Sequence, residues 1–109
     1  MLIELCSVDD IVPGMVTRVA GPRVPVPLAL VRVGERVYCL DDTCSHETAS
    51  LADGWLEDHT IECPLHESRF DVRTGAPDCP PARRPVRVHE VHVVDGKVCV
   101  EESSVAEAG

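Results

Sequence analysis

Aromatic side chains are scarce in this chain: Tyr38, Trp55 and Phe70 are the only three in 109 residues. A core must therefore be aliphatic, and it draws on eighteen valines, which are stiff at χ1 and favour pleated surfaces. Long apolar runs are also missing. The longest candidate, Val24 to Val31, is interrupted by Pro25 and Pro27 and falls far short of the ~20 residues a membrane helix needs. The N-terminus lacks a basic stretch and instead carries Glu4, Asp9 and Asp10, so it does not read as a secretory signal. A cytoplasmic protein with no membrane partner is expected. Positive charge is in short supply, with ten Lys and Arg against nineteen Asp and Glu and a net charge of −9. The imbalance is concentrated between Glu35 and Asp71, where ten acids face two bases, Arg36 and Arg69. Nucleic acids and anionic membranes demand the opposite sign and are excluded as partners. A basic protein partner suits the charge, and a solvated surface explains it equally.

The chain does hold six cysteines. In a cytoplasmic protein that number points to metal binding or reactive thiols before disulfides. The length implies one domain, able to bury about two-thirds of its unfolded surface without staples. Nine prolines and seven glycines imply short elements joined by turns, so an all-β fold is expected. Leu2 to Ser7 alternates as a strand, followed by a turn-rich connector to Gly14 and a short strand from Met15 to Val19. Leu28 to Val33 and Arg36 to Leu40 flank Gly34-Glu35, a glycine-first hairpin of type II′. Val91 to Val94 and Lys97 to Glu101 flank Asp95-Gly96, the strongest hairpin signal in the chain, with Val86 and Val88 in the strand leading into it.

Residues 41–73 differ in kind, with little periodicity and two small strands predicted at Thr60 to Cys63 and Ser68 to Asp71. They read as a small subdomain set into a β framework, within a single domain spanning residues 1–102. Residues 103–109 are small and polar and are expected to form a flexible tail.

Two loops of this subdomain carry chemistry. Cys44-Ser45-His46 and Cys63-Pro64-Leu65-His66 each offer one thiolate and one imidazole, with sixteen residues between His46 and Cys63. Two cysteines on one iron and two histidines on the other form the ligand set of a Rieske [2Fe-2S] centre. If each loop supplies one ligand of each type, both irons are gripped by both loops. Neutral imidazoles leave the oxidised cluster uncharged, so it accepts an electron more readily than a four-thiolate cluster. Zinc also takes cysteine and histidine, but common Cys2His2 sites pair like with like, and the mixed pairs here favour the cluster.

The sequence resembles the Rieske-type ferredoxins of bacterial aromatic-ring-hydroxylating dioxygenase systems. The resemblance rests on Cys44-Ser45-His46, the block from Cys63 to Asp71, Thr74-Gly75 and Pro80-Pro81-Ala82. It implies a Rieske fold, an antiparallel β-sandwich or open barrel with a small inserted cluster-binding subdomain. It also implies one [2Fe-2S] cluster per chain, held by Cys44, His46, Cys63 and His66. Such proteins are soluble electron carriers rather than enzymes, taking electrons from a ferredoxin reductase and delivering them to a terminal oxygenase. A monomer is expected.

Around the ligands, Leu65 stands where high-potential versions carry a disulfide cysteine, and Phe70 where they carry tyrosine. Ser68 keeps a hydroxyl that could still reach a bridging sulfide. Fewer donors to sulfur destabilise the reduced cluster, so the potential is expected toward the low end of the Rieske range of about −150 to +300 mV. Glu67 stands where many family members have glycine. Cys6, Cys39, Cys79 and Cys99 match no ligand position. Cys39 and Cys99 lie in apolar strand sequence as small buried hydrophobes, and Cys79 adjoins the proline-rich segment.

His59, His89 and His92 read as surface or partly buried side chains, and Trp55 as a packing anchor for the subdomain. A catalytic oxygenase would need a further iron held by two histidines and a carboxylate, for which the chain has no spare domain. The Rieske-like small subunit of nitrite reductase is the other alternative, although those subunits often lack the ligands present here.

Overall fold

Four consecutive residues, Leu28, Ala29, Leu30 and Val31, have no solvent exposure. Successive side chains on a strand point to opposite faces, so a run buried throughout must be covered on both sides. A computed structural model describes residues 1–22, 24–43, 50–64, 69–77 and 85–105 and shows how that cover is arranged. Ten strands follow in order: β1 Leu2–Ser7, β2 Val16–Gly21, β3 Val24–Val33, β4 Arg36–Asp41, β5 Trp55–Glu57, β6 Thr60–Glu62, β7 Arg69–Asp71, β8 Val88–His89, β9 His92–Val94 and β10 Lys97–Glu101. Among the described residues there is no α-helix, only 3-10 turns at Val8–Asp10 and Leu51–Asp53.

The strands form three antiparallel sheets, ordered β1-β10-β9, β2-β3-β4-β8 and β5-β6-β7. Leu28 and Leu30 of β3 and Cys39 of β4 pack with Val98 and Val100 of β10. Ala29 and Val31 of β3 and Leu40 of β4 pack on the other side with Leu51, Ile61, Cys63, Phe70 and Val72. The central four-stranded sheet is thus filled from both faces, by the β1-β10-β9 sheet and by the small β5-β6-β7 sheet.

Both expected hairpins form. At the first, Gly34 has φ +62° while Glu35 is not in the positive region, the φ pattern of a II′ turn. At the second, Asp95 and Gly96 have φ +51° and +76°, as a type I′ turn requires.

Several boundaries differ from the sequence reading. β3 begins at Val24 and so contains Pro25 and Pro27. These fall where the β2 register slips, between Val19 and Gly21, and before the first β4 pair at Leu28, so neither missing N–H interrupts a continuous ladder. β5 was not anticipated, because a three-residue strand is too short to show a period. Val88 pairs with Leu40 of β4 rather than extending the last hairpin, and Val86 lies outside any strand, its N–H donating to Gly75 O at 3.0 Å. The expected tail is partly docked: Val105 has no exposure and packs into the core beside Ile11 and Leu28. Residues 106–109 lie outside the described residues.

Candidate metal centre

The two sequences that carry chemistry are each flanked by a closed stem. The first is closed by an antiparallel bridge between Thr43 and Ser50. The second is closed by the last β6–β7 pair, Glu62 opposite Arg69. Cys63 follows β6 directly and is 1 % exposed, in one cluster with Ile61, Phe70 and Val72. Of the residues singled out around the centre, Cys63 and Phe70 are therefore placed, both in the interior. Cys44, His46, Leu65, His66, Glu67 and Ser68 lie outside the described residues, as do Cys79, Pro80, Pro81, Ala82, Arg83 and Arg84. Among the described residues no three His, Cys, Asp or Glu side chains converge as a metal site.

Asp42 holds the first stem. It is 2 % exposed, and its carboxylate accepts from Ser50 Oγ at 2.5 Å, Ala52 N–H at 2.9 Å and Arg18 Nε at 3.1 Å. Its carbonyl accepts from Leu51 N–H at 2.7 Å, and its own N–H donates to Pro27 O at 3.0 Å. A buried carboxylate needs such partners, and these partners tie the two ends of the loop together. The sequence showed Asp42 only as one of two adjacent acids.

Gly54 joins the two stems. A Cβ built there would lie 1.8 Å from the Glu62 carbonyl oxygen, so only glycine lets the segment leaving the first loop pass the entrance to the second. The next residue, Trp55, pairs with Glu62 itself. In the sequence Gly54 shows only as the glycine before Trp55, with nothing nearby to mark the close approach of Glu62.

Two other expectations change. Trp55 is 60 % exposed and anchors no core, because its strand partner face is turned outward while Leu56, Ile61 and Phe70 face inward. His89 is not a surface residue: it is 2 % exposed, with Nε2 2.8 Å from Asp41 Oδ1 and Nδ1 2.6 Å from Ser104 Oγ. Arg87 Nε donates to Asp41 Oδ2 at 2.7 Å. Burial works to raise the Asp41 pKa, but the hydrogen bonds from His89 and Arg87 outweigh it and hold the carboxyl below its ordinary 3.8. His59 meets Tyr38 edge-on, with ring centroids 5.9 Å apart, where the small sheet abuts β4.

Cys39 and Cys99 are buried as expected. Burial, reinforced by Asp41 and Cys6 nearby, pushes the Cys39 thiol up to about 12. Such a thiol stays protonated and is a poor nucleophile or ligand. Cys6 is also raised, by burial and Asp10 against an opposing effect of Lys97.

The chain is similar to several known proteins. A family model described as the Rieske [2Fe-2S] domain matches residues 1–92. The anthranilate 1,2-dioxygenase ferredoxin subunit of Burkholderia cepacia is 47 % identical over 81 residues, covering 74 % of this chain and 72 % of that protein. Among solved structures, a ferredoxin from Sphingomonas yanoikuyae B1 superposes with a TM-score of 0.88 at 33 % identity, covering 94 % of this chain and 99 % of that one. The ferredoxin-bearing complex of reduced oxygenase and oxidised ferredoxin in carbazole 1,9a-dioxygenase gives 0.83 at 40 % identity, covering 91 % of both chains.

Proposed function

The chain belongs to the Rieske [2Fe-2S] domain family, and we propose that Cys44 and Cys63 hold one iron of its cluster while His46 and His66 hold the other. The donor chemistry fits the group, since two thiolates and two neutral imidazoles are the Rieske set. The observation that carries the assignment is the pair of closed stems, clamped by Asp42 and pressed together at Gly54 and Glu62. Stems that meet in this way suit two loops that share one cluster. When bound, the cluster accepts and releases a single electron.

The protein's own residues do the rest. Ile61, Phe70 and Val72 pack in one cluster with Cys63 and keep its surroundings apolar. Asp42 and its partners fix the two ends of the first loop against the fold. The acids between Glu35 and Asp71 attract a partner of opposite charge. The protein is a one-electron carrier and an electron-transfer component of a multicomponent dioxygenase, as its ferredoxin-subunit relatives are named. It delivers electrons to a terminal aromatic-ring-hydroxylating oxygenase, in keeping with the carbazole 1,9a-dioxygenase complex, and receives them from a ferredoxin reductase. No helix among the described residues is long and apolar enough to cross a membrane. We assign the working protein as a cytoplasmic monomer whose cluster-binding subdomain spans residues 41–73.

Electron paramagnetic resonance of the dithionite-reduced protein, with iron and sulfide analysis, tests the assignment. A rhombic signal with average g below that of four-cysteine clusters is expected, and it should disappear or change in His46→Ala and His66→Ala but not in His92→Ala. A silent spectrum with zinc in the metal analysis would refute it.

A further inference from the structure

The pairing of β5, β6 and β7 sorts their side chains onto two faces. Leu56, Ile61 and Phe70 are in register with one another and turn inward. On the outer face the same register sets Trp55 opposite Glu62, and Glu57 opposite Thr60. An open groove of about 470 Å³ runs over this face, lined by Trp55, Leu56, Glu57, Asp58, Thr60, Glu62 and Arg69. Trp55 is the chain's single tryptophan, and it is 60 % exposed beside the groove's three carboxylates. Among the described residues Glu57, Asp58 and Glu62 form no ion pair, whereas Asp71 of the same sheet is bound to Arg73 at 2.7 Å.

We propose that this outer face is a docking surface for an arginine-bearing segment of a basic redox partner. The inference rests on the electron-carrier reading and adds to it the place and chemistry of the contact. A guanidinium stacks on an indole face through its cation–π attraction and pairs with carboxylates through its fork of donors. The groove supplies both, with indole and carboxylates opposed across neighbouring strands. Exposed tryptophan is otherwise costly on a surface, and it is enriched where proteins bind one another. Charge excludes the other occupants. An anionic lipid surface or a nucleic acid is repelled by the acidic region, and a second copy of a chain carrying −9 is repelled as a whole. The position matters as well, because β6 runs directly into Cys63 and the Glu62–Arg69 pair closes the loop that follows. A partner seated here touches the stem of that loop.

The test is stopped-flow electron transfer from the dithionite-reduced holoprotein to cytochrome c, a basic haem protein used as the probe, at low and high ionic strength. The variants are Trp55→Ala, Trp55→Phe, the double change Glu57→Gln/Glu62→Gln, and Glu4→Gln as a control on the exposed side of β1. At low ionic strength Trp55→Ala should slow the second-order rate about tenfold, with Trp55→Phe recovering most of it. The double change should slow the rate and flatten its salt dependence, while Glu4→Gln should leave both as in the wild type. Rates within about twofold of wild type for both Trp55→Ala and the double change would overturn the docking surface. The rhombic resonance signal and the iron-to-sulfide ratio, measured on every sample, keep the two readings apart. A normal cluster with unaltered rates defeats the docking surface alone, and a wild-type chain without the cluster defeats both.

Discussion

Gly54 lies against the carbonyl of Glu62 so closely that a Cβ would come within 1.8 Å of its oxygen. That approach presses the segment leaving the first stem onto the end of β6, where the second stem opens. Gly54→Ala must therefore displace β5 from β6, and a loss of about 1–3 kcal/mol in urea unfolding is expected, with reduced iron content. Gly75→Ala should cost more. Its Cβ would stand 2.0 Å from Val86 O, and its φ of +76° adds strain for any side chain. Equal stability of Gly54→Ala and wild type would show that the stems shift freely.

Asp42 offers a second test. Asp42→Ala removes a buried acceptor from Ser50, Ala52 and Arg18 at once. A loss of roughly 3 kcal/mol is expected, together with a lower iron and sulfide content per chain. Asp42→Asn keeps one carbonyl oxygen for the Ala52 N–H and should lie between the two. If Asp42→Ala binds a full cluster with wild-type stability, the clamp is not needed.

Truncation after Glu102 should be harmful, although the removed residues look dispensable in sequence. It takes away buried Val105 and leaves His89 without Ser104. Burying a valine is worth about 1.5–3 kcal/mol and an orphaned buried polar group costs about 1–3 kcal/mol, so a loss of roughly 3 kcal/mol or more in urea unfolding is expected. Truncation after Val105 should have little effect.

Acid should act through Asp41. Its carboxyl is held below its ordinary 3.8 because hydrogen bonds from His89 and Arg87 outweigh its burial. A depressed carboxyl contributes stability that is fully present above the unfolded value and is lost as pH falls through the folded one. Thermal midpoints should therefore decline below about pH 4, and decline less steeply in Asp41→Asn. Parallel acid limbs in the two proteins would remove Asp41 from the account.

The reduction potential should fall in the lower part of the Rieske range of about −150 to +300 mV. Phe70 has no hydroxyl to donate to sulfur, and its ring lies fully buried in the same cluster as Cys63. Spectroelectrochemical titration measures it directly. A midpoint well above zero would require sulfur-directed donors that Phe70 and Leu65 cannot supply.

The sequence by itself determined the strands that alternate, the hairpins at Gly34-Glu35 and Asp95-Gly96, and the two mixed cysteine and histidine pairs. Each of these is a local pattern, set by strand period, turn chemistry or donor type within a few residues. Only the tertiary structure decided how distant residues meet. Asp42 reaches Ser50 and Arg18 across a loop and a strand, and His89 finds Asp41 and Ser104 from opposite directions along the chain. Val105 is buried because a sheet lies beneath it, and Trp55 is exposed because its strand turns that face outward. Burial and partnership depend on what the rest of the chain brings alongside, which no stretch of sequence read on its own contains.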